Sequence, residues 1–274
     1  MLRGKRSAAA LVLGGLMVSA GGAVAQGPGP GPVLAEDFEA GGGAVAKRLL
    51  RDARLTIEHG QGVGGGSALR TRYVGSSRGS DVIAAEIPLG ESGTDYTLNY
   101  DVKFAPDFQF VLGGKMHGLG PAQSVTGGQA STPEGWSVRV MWREEGRPVT
   151  YTYHQDRAGE WGDDGKPARP FAFSLGRYHA VSLHVRLNDP VERANGLARL
   201  YVDGALVSSQ EGLRLRASAG PAGLVRQFMF STFHGGHDPS WAPRDAKGAY
   251  KDVFAWFDNV AVYRGEHIRA RPGE

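Results

Sequence analysis

Between positions 110 and 154 the chain gathers residues able to hold an anion and move protons. Lys115 sits in the glycine-rich run Gly113-Gly114-Lys115-Met116-His117-Gly118; Ser137, Arg139, Met141 and Arg143 alternate along the next apolar run, and Tyr151 and Tyr153 along the one after. Lysine and arginine supply positive charge, and a phenol beside such cations exchanges protons more readily once its usual pKa of about 10 is lowered. That chemistry needs the groups on one surface. Successive side chains of a strand point to opposite sides, and directly opposed residues of a hairpin share a side. Val138, Val140 and Trp142 therefore form an apolar row, with Ser137, Arg139, Met141 and Arg143 on the other face. A three-residue loop, Glu144-Glu145-Gly146, with glycine in its last position, pairs Arg143 with Arg147. It sets Arg139 opposite Tyr151 and Ser137 opposite Tyr153, whereas a two- or four-residue loop reverses the parity.

Each of these residues also has an ordinary reading. Lys115 can be a solvated turn lysine, Arg139 can pair with Glu144 or Asp156, and alternate tyrosines are normal strand composition. The shared face favours a functional site.

The elements that must carry this face read as strands. Alternating runs cover 96–104, with Leu98, Tyr100, Val102 and Phe104 on one side, and 179–187, with Val181, Leu183, Val185 and Leu187. Two runs, 197–202 and 205–207, flank Asp203-Gly204, a strong hairpin signal; 227–233 and 253–263 add aromatic strands. Helical periodicity is nearly absent, which predicts an all-β sandwich or jelly roll of two antiparallel sheets. One outer surface of such a sandwich forms a concave groove suited to an extended ligand such as a polysaccharide. Trp136, Tyr151, Tyr153, Trp161 and Trp241 are candidate platforms for sugar rings, against the alternative that each merely packs.

Residues 1–25 have the pattern of an export signal: Arg3, Lys5 and Arg6, an apolar run from Ala8, and Ala23-Val24-Ala25 before Gln26. The alternative is an uncleaved membrane anchor. A Gly/Pro spacer follows at 26–35, one domain at 36–266 and a tail at 267–274. Cleavage removes three basic and no acidic residues, so the formal charge of +3 falls to zero, 28 Lys and Arg against 28 Asp and Glu. A neutral mature chain argues against nucleic acid or an anionic membrane as partner. The absence of cysteine excludes disulfides and thiol chemistry. His234, His237 and Asp238 have metal-like spacing without a third clear ligand, so no metal or other cofactor is expected.

The runs GGKMHGLG, GWSVRVMWR, TYTYH, VRLNDPVERANGLARLYVDG, FSTFHGGHDPSWAP and FDNV, in that order between about Asp95 and Tyr263, resemble polysaccharide lyase family 14, the alginate and glucuronan lyases. The resemblance implies a β-jelly roll that cleaves uronate polymers by β-elimination. It implies a catalytic set of Lys115, Ser137, Arg139, Tyr151 and Tyr153; from their own types and places beside that set, His117, Trp136, Arg143, His234 and Trp241 are candidate substrate contacts. Family members commonly carry a proline where this chain has His117, so that residue either meets substrate or fills a turn.

Elimination from a 4-linked uronate needs its carboxylate neutralised, a base for the C5 proton and an acid for the departing O4. Lys115 and Arg139 suit the carboxylate and the enolate that develops from it. Tyr151 and Tyr153 suit proton transfer, and Ser137 suits a hydrogen bond to substrate. The expected partner is thus an acidic polysaccharide met in the periplasm or outside the cell. A carbohydrate-binding module on the same scaffold is the second reading. A jelly-roll glycoside hydrolase lacks the required pair of placed carboxylates, because Glu144 and Glu145 are adjacent in a turn.

Overall fold

The computed structural model describes Met1, residues 31–236 and residues 238–272. The export signal, the first half of the spacer, His237 and the last two residues lie outside the described residues. From residue 31 the chain is one compact unit. Its elements run β1 (Leu34–Glu36), α1 (Ala44–Leu49), β2 (Leu55–His59), β3 (Ser67–Tyr73), β4 (Gly75–Ser76), β5 (Gly79–Ser80), β6 (Ile83–Gly93), β7 (Asp95–Phe104) and β8 (Gly113–Gly120). They continue with β9 (Ser137–Arg143), β10 (Pro148–Tyr153), β11 (Asp163–Asp164), β12 (Lys166–Pro167), β13 (Tyr178–Arg186), β14 (Gly196–Val202), β15 (Ala205–Leu213), β16 (Val225–His234) and β17 (Val253–Arg264).

Two antiparallel sheets face each other, as the alternating runs predict. One is ordered β12-β15-β14-β13-β7-β17-β3-β2, with β1 beside β17; the other is ordered β11-β10-β9-β8-β16-β6. Between them lie Leu98, Tyr100, Val102 and Phe104 of β7, Val181, Leu183 and Val185 of β13, and Val138, Val140 and Trp142 of β9, all buried. Removing this apolar surface from water is the main force closing the sandwich. The outer face of the six-stranded sheet is left free and carries a groove of about 890 Å³.

Local chemistry explains the hairpins. Asp203 and Gly204 both take positive φ, 53° and 80°, as a two-residue hairpin turn requires, and Val202 pairs with Ala205. In the β9–β10 hairpin, Glu145 (φ 60°) and Gly146 (φ 77°) make the left-handed reversal. The Arg143 N–H donates to the Arg147 carbonyl at 2.8 Å, which is the three-residue loop.

Both ends of the domain extend further than the sequence suggests. Leu34 and Ala35, assigned to the spacer, pair with Val262 and Ala261. The tail assigned from 267 instead covers the outer face of the larger sheet. The Thr97 hydroxyl donates to the Gly265 carbonyl, Asn99 Nδ2 to the His267 carbonyl, and Arg269 Nη2 to both Asp101 oxygens at 2.7 and 2.8 Å. This is why Thr97, Asn99 and Asp101 are buried although they point away from the core. Polar side chains in a short terminal run give no periodic signal, so composition alone reads as a loose end.

Candidate active site

The register sets Tyr151 opposite Arg139 and Tyr153 opposite Ser137, as parity and the loop predict. On the other side of β9, Met141 pairs with Lys115 and Arg139 with Gly118. Three residues of β9, 139–141, thus span four of β8, 115–118, so β8 carries a bulge at Met116–His117. A bulge lets two successive residues fall on one side of a strand. Lys115 and Gly118 face the groove, while Met116 and His117 both turn into the core.

Lys115, Arg139, Arg143, Tyr151, Tyr153 and Trp241 all border the groove. Arg139 is buried, and its Nε and Nη2 have no hydrogen-bond partner among the described residues. Its Cζ lies 5.8 and 5.9 Å from the centroids of the Tyr151 and Tyr153 rings. The guanidinium can lie there because position 118 has no side chain: a Cβ on Gly118 would stand 2.6 Å from Arg139 Cγ and 2.1 Å from the Val138 carbonyl oxygen. Burial draws the Arg139 pKa down, yet a guanidinium stays charged in a protein. A buried cation with unused donors leaves room for an anion.

Lys115 Nζ stands 2.9 Å from Met141 Sδ and 4.0 Å from the centroid of the Tyr151 ring. Its pKa is lowered to about 6, first by burial, then by the charges of Arg139 and Arg143, with Asp164 opposing. Burial and the two neighbouring cations thus favour the neutral amine. Arg143 is held by Asp164 through two contacts, 2.8 Å from Nε and 2.5 Å from Nη2.

The two phenol oxygens accept backbone hydrogen bonds from separate loops: Tyr151 Oη from the Gly162 N–H at 3.0 Å, and Tyr153 Oη from the Gly128 N–H at 3.1 Å. Burial raises the Tyr151 pKa, as does the neighbouring Tyr153, while the Gly162 N–H and Arg139 work the other way. Gly162 also has to be glycine, since a Cβ there would stand 2.9 Å from both tyrosine rings.

Four more of the expected site residues are buried. Trp136 is fully buried, with its indole N–H donated to the Gly223 carbonyl at 2.8 Å; it precedes Val138 by two and so shares the core row. His117 is buried against Phe230 and Phe257, because the bulge turns it inward. His234 borders the groove, but its ring is stacked on Phe108 and Nε2 bonds to the Gln109 carbonyl at 2.7 Å. Burial lowers the His234 pKa to about 4, so the ring stays neutral. Ser137 is buried and donates to the Val125 carbonyl at 2.7 Å; it anchors the loop before β9 and does not border the groove.

Sequence reasoning passed over three contributors. Met141 was legible from its place on the polar row of β9. Gly128 and Gly162 lie in long loops, where no local pattern marks which N–H will meet a phenol. Among the described residues no cluster of His, Asp and Glu could hold a metal, and no helix is long and apolar enough to cross a membrane.

The family model described as polysaccharide lyase 14 matches residues 71–254, which contain the whole groove set. The chain belongs to polysaccharide lyase family 14. This family 14 protein is therefore a polysaccharide lyase, a carbon–oxygen lyase. Its fold is similar to that of the family 14 alginate lyase of Aplysia kurodai, at 23% identity and a TM-score of 0.66, over 85% of this chain and 99% of the other. It is also similar to an endo-β-1,4-glucuronan lyase of the fungus Trichoderma reesei, at 16% identity and 0.58, over 89% and 99%. A third similar structure is an alginate lyase variant in complex with an alginate trisaccharide, at 23% and 0.63, over 78% and 86%. No curated protein sequence matches the lyase.

Proposed function

We propose that this lyase cleaves a uronate-containing polysaccharide, such as alginate, glucuronan or a related exopolysaccharide, by β-elimination. The observation that carries the reading is the buried Arg139 guanidinium with unpartnered donors, set beside Lys115 and two phenols in one groove. A uronate carboxylate supplies the missing counter-charge. Once it is bound, its negative charge favours the protonated form of Lys115, and both cations hold the carboxylate more strongly as enolate character develops. Tyr151 and Tyr153 are placed to exchange protons with C5 and with the departing oxygen; whichever takes the C5 proton must first give up its own, which burial of Tyr151 opposes and the Arg139 charge favours. The C5 proton leaves to the base, the C4–O4 bond breaks with its electron pair on oxygen, and O4 gains a proton. The new chain end carries a C4=C5 double bond.

The named substrates of the similar structures, alginate and glucuronan, support an acidic polymer as partner. The export signal read at residues 1–25 supports action in the periplasm or outside the cell. Protein recovered from the producing cell is expected to begin near Gln26, which N-terminal sequencing checks. The experiment for the activity is incubation with a panel of polyuronates, following ultraviolet absorbance and identifying products by mass. Unsaturated uronate ends are expected; intact polymers with a folded protein would sink the reading.

A further inference from the structure

The six-stranded sheet ends at β6, and past that edge lies a second hollow, of about 450 Å³, between β6 and the wall made by α1 and the turn after it. Ala84, Ala85 and Phe230 border both this hollow and the active-site groove. The two depressions thus meet across β6, where consecutive alanines leave a low ridge.

The wall is held in place and basic. Val45, Ala46 and Leu49 of α1 are buried. Arg54 binds Asp52 through Nε at 2.9 Å and Nη2 at 2.6 Å, and Nη2 also donates to the carbonyl of Val82, just before β6, at 2.9 Å. That pairing neutralises Asp52, the acidic residue of the hollow. It leaves Arg48 and Arg51 exposed at the hollow, neither in an ion pair among the described residues. A cation near a helix C-terminus is favoured by the backbone dipole, which accounts for Arg48 but not for Arg51 in the turn beyond.

We infer that this hollow is a distal site for carboxylates of the same polysaccharide chain, engaged when the chain continues across β6. The inference rests on the polyuronate reading of the active site. From Arg139 on β9 to β6 is three strand spacings, about 14 Å, so a short oligomer seated at the catalytic side chains ends inside the main groove. A longer polyanion crosses the alanine ridge and meets Arg48 and Arg51. Both residues precede the 71–254 stretch matched by the family, so this site belongs to the part of the chain that the family model leaves out.

The test compares the parent with Arg48→Gln/Arg51→Gln on uronate oligomers of increasing length and on polymer, at low and high salt. Exposed charge contacts are individually weak, so KM on polymer is expected to rise about three- to tenfold with kcat and melting temperature unchanged. KM on the shortest cleaved oligomers stays the same, and the difference on polymer shrinks as salt screens the charges. An unchanged KM on polymer, or an equal rise on short and long substrates, overturns the distal site while leaving the lyase reading intact. If the parent cuts no polyuronate, that reading fails by itself. Calorimetric affinities of both proteins for long and short polyuronates then decide the distal site by the same length dependence.

Discussion

Arg139 and Lys115 carry different burdens in the same groove. A guanidinium stays charged in a protein, so replacing Arg139 with methionine removes the fixed cation that the proposed function assigns to the uronate carboxylate. Loss of one preorganised electrostatic contact costs about 10²- to 10³-fold in kcat, to be read from the initial rate of ultraviolet absorbance, with the fold checked by circular dichroism. Burial and two neighbouring cations favour the neutral form of Lys115 above about pH 6, and on the proposed function a bound carboxylate favours the charged form. Polyuronate binding at pH 8 is therefore expected to take up protons, seen as a binding heat that varies with the ionisation heat of the buffer. Lys115→Met should abolish that uptake. The same shift has a stability sign: the folded-state pKa is depressed, so between about pH 6 and 10.5 the unfolded chain holds more protons at this residue. Its buried charge destabilises the fold most below about pH 6, and the handicap fades toward pH 10.5. Lys115→Met is expected to raise the melting temperature most on the acid side and to end activity at every pH.

The strands explain which part of the site could be read in advance. The Arg139–Tyr151 pairing was legible because it depends on local things, the side-chain alternation of two runs and a glycine at the third loop position. Trp136, expected against substrate, lies in the core, where the same parity, applied two residues before Val138, would have put it. His117 was not legible, since the bulge in β8 is fixed by pairing with both neighbouring strands and leaves no mark in its own eight residues. Ser137 was read correctly for its face but not for its partner, because Val125 approaches from a long loop. Gly118→Ala tests the bulge directly: a Cβ 2.1 Å from the Val138 carbonyl and 2.6 Å from Arg139 Cγ has to displace both. Overpacking of this kind costs about 1–3 kcal/mol, measurable by urea unfolding. Activity should fall further than that loss explains, because Arg139 is one of the displaced neighbours.

At the scale of the whole molecule, the alternating runs and the lack of helical periodicity were enough for a two-sheet sandwich, but not for where the domain stops. The segment after β17 closes the outer face of the larger sheet by polar contacts, and its Arg269 faces an Asp101 that is fully buried. Burial raises the Asp101 pKa while Arg269 and Asn259 oppose it. Removing one partner of a buried pair leaves an uncompensated charge and costs about 3–5 kcal/mol. Arg269→Ala is expected to lower stability by that order in chemical denaturation and to leave kcat unchanged, since the contact lies on the sheet remote from the groove. Truncation after Gly265 should cost at least as much.

The bulge at Met116–His117 has one more consequence, for space and not for charge. With strict alternation from Lys115, the residue opposite Arg139 would be His117, and an imidazole would stand on the groove floor between the two cations. The extra residue sends that ring inward to pack on Phe230 and brings Gly118 into its place. Beside Arg139 the sheet therefore offers main chain in place of an imidazole, and the room that the Arg139 side chain occupies over Gly118 comes from an irregularity in the main chain.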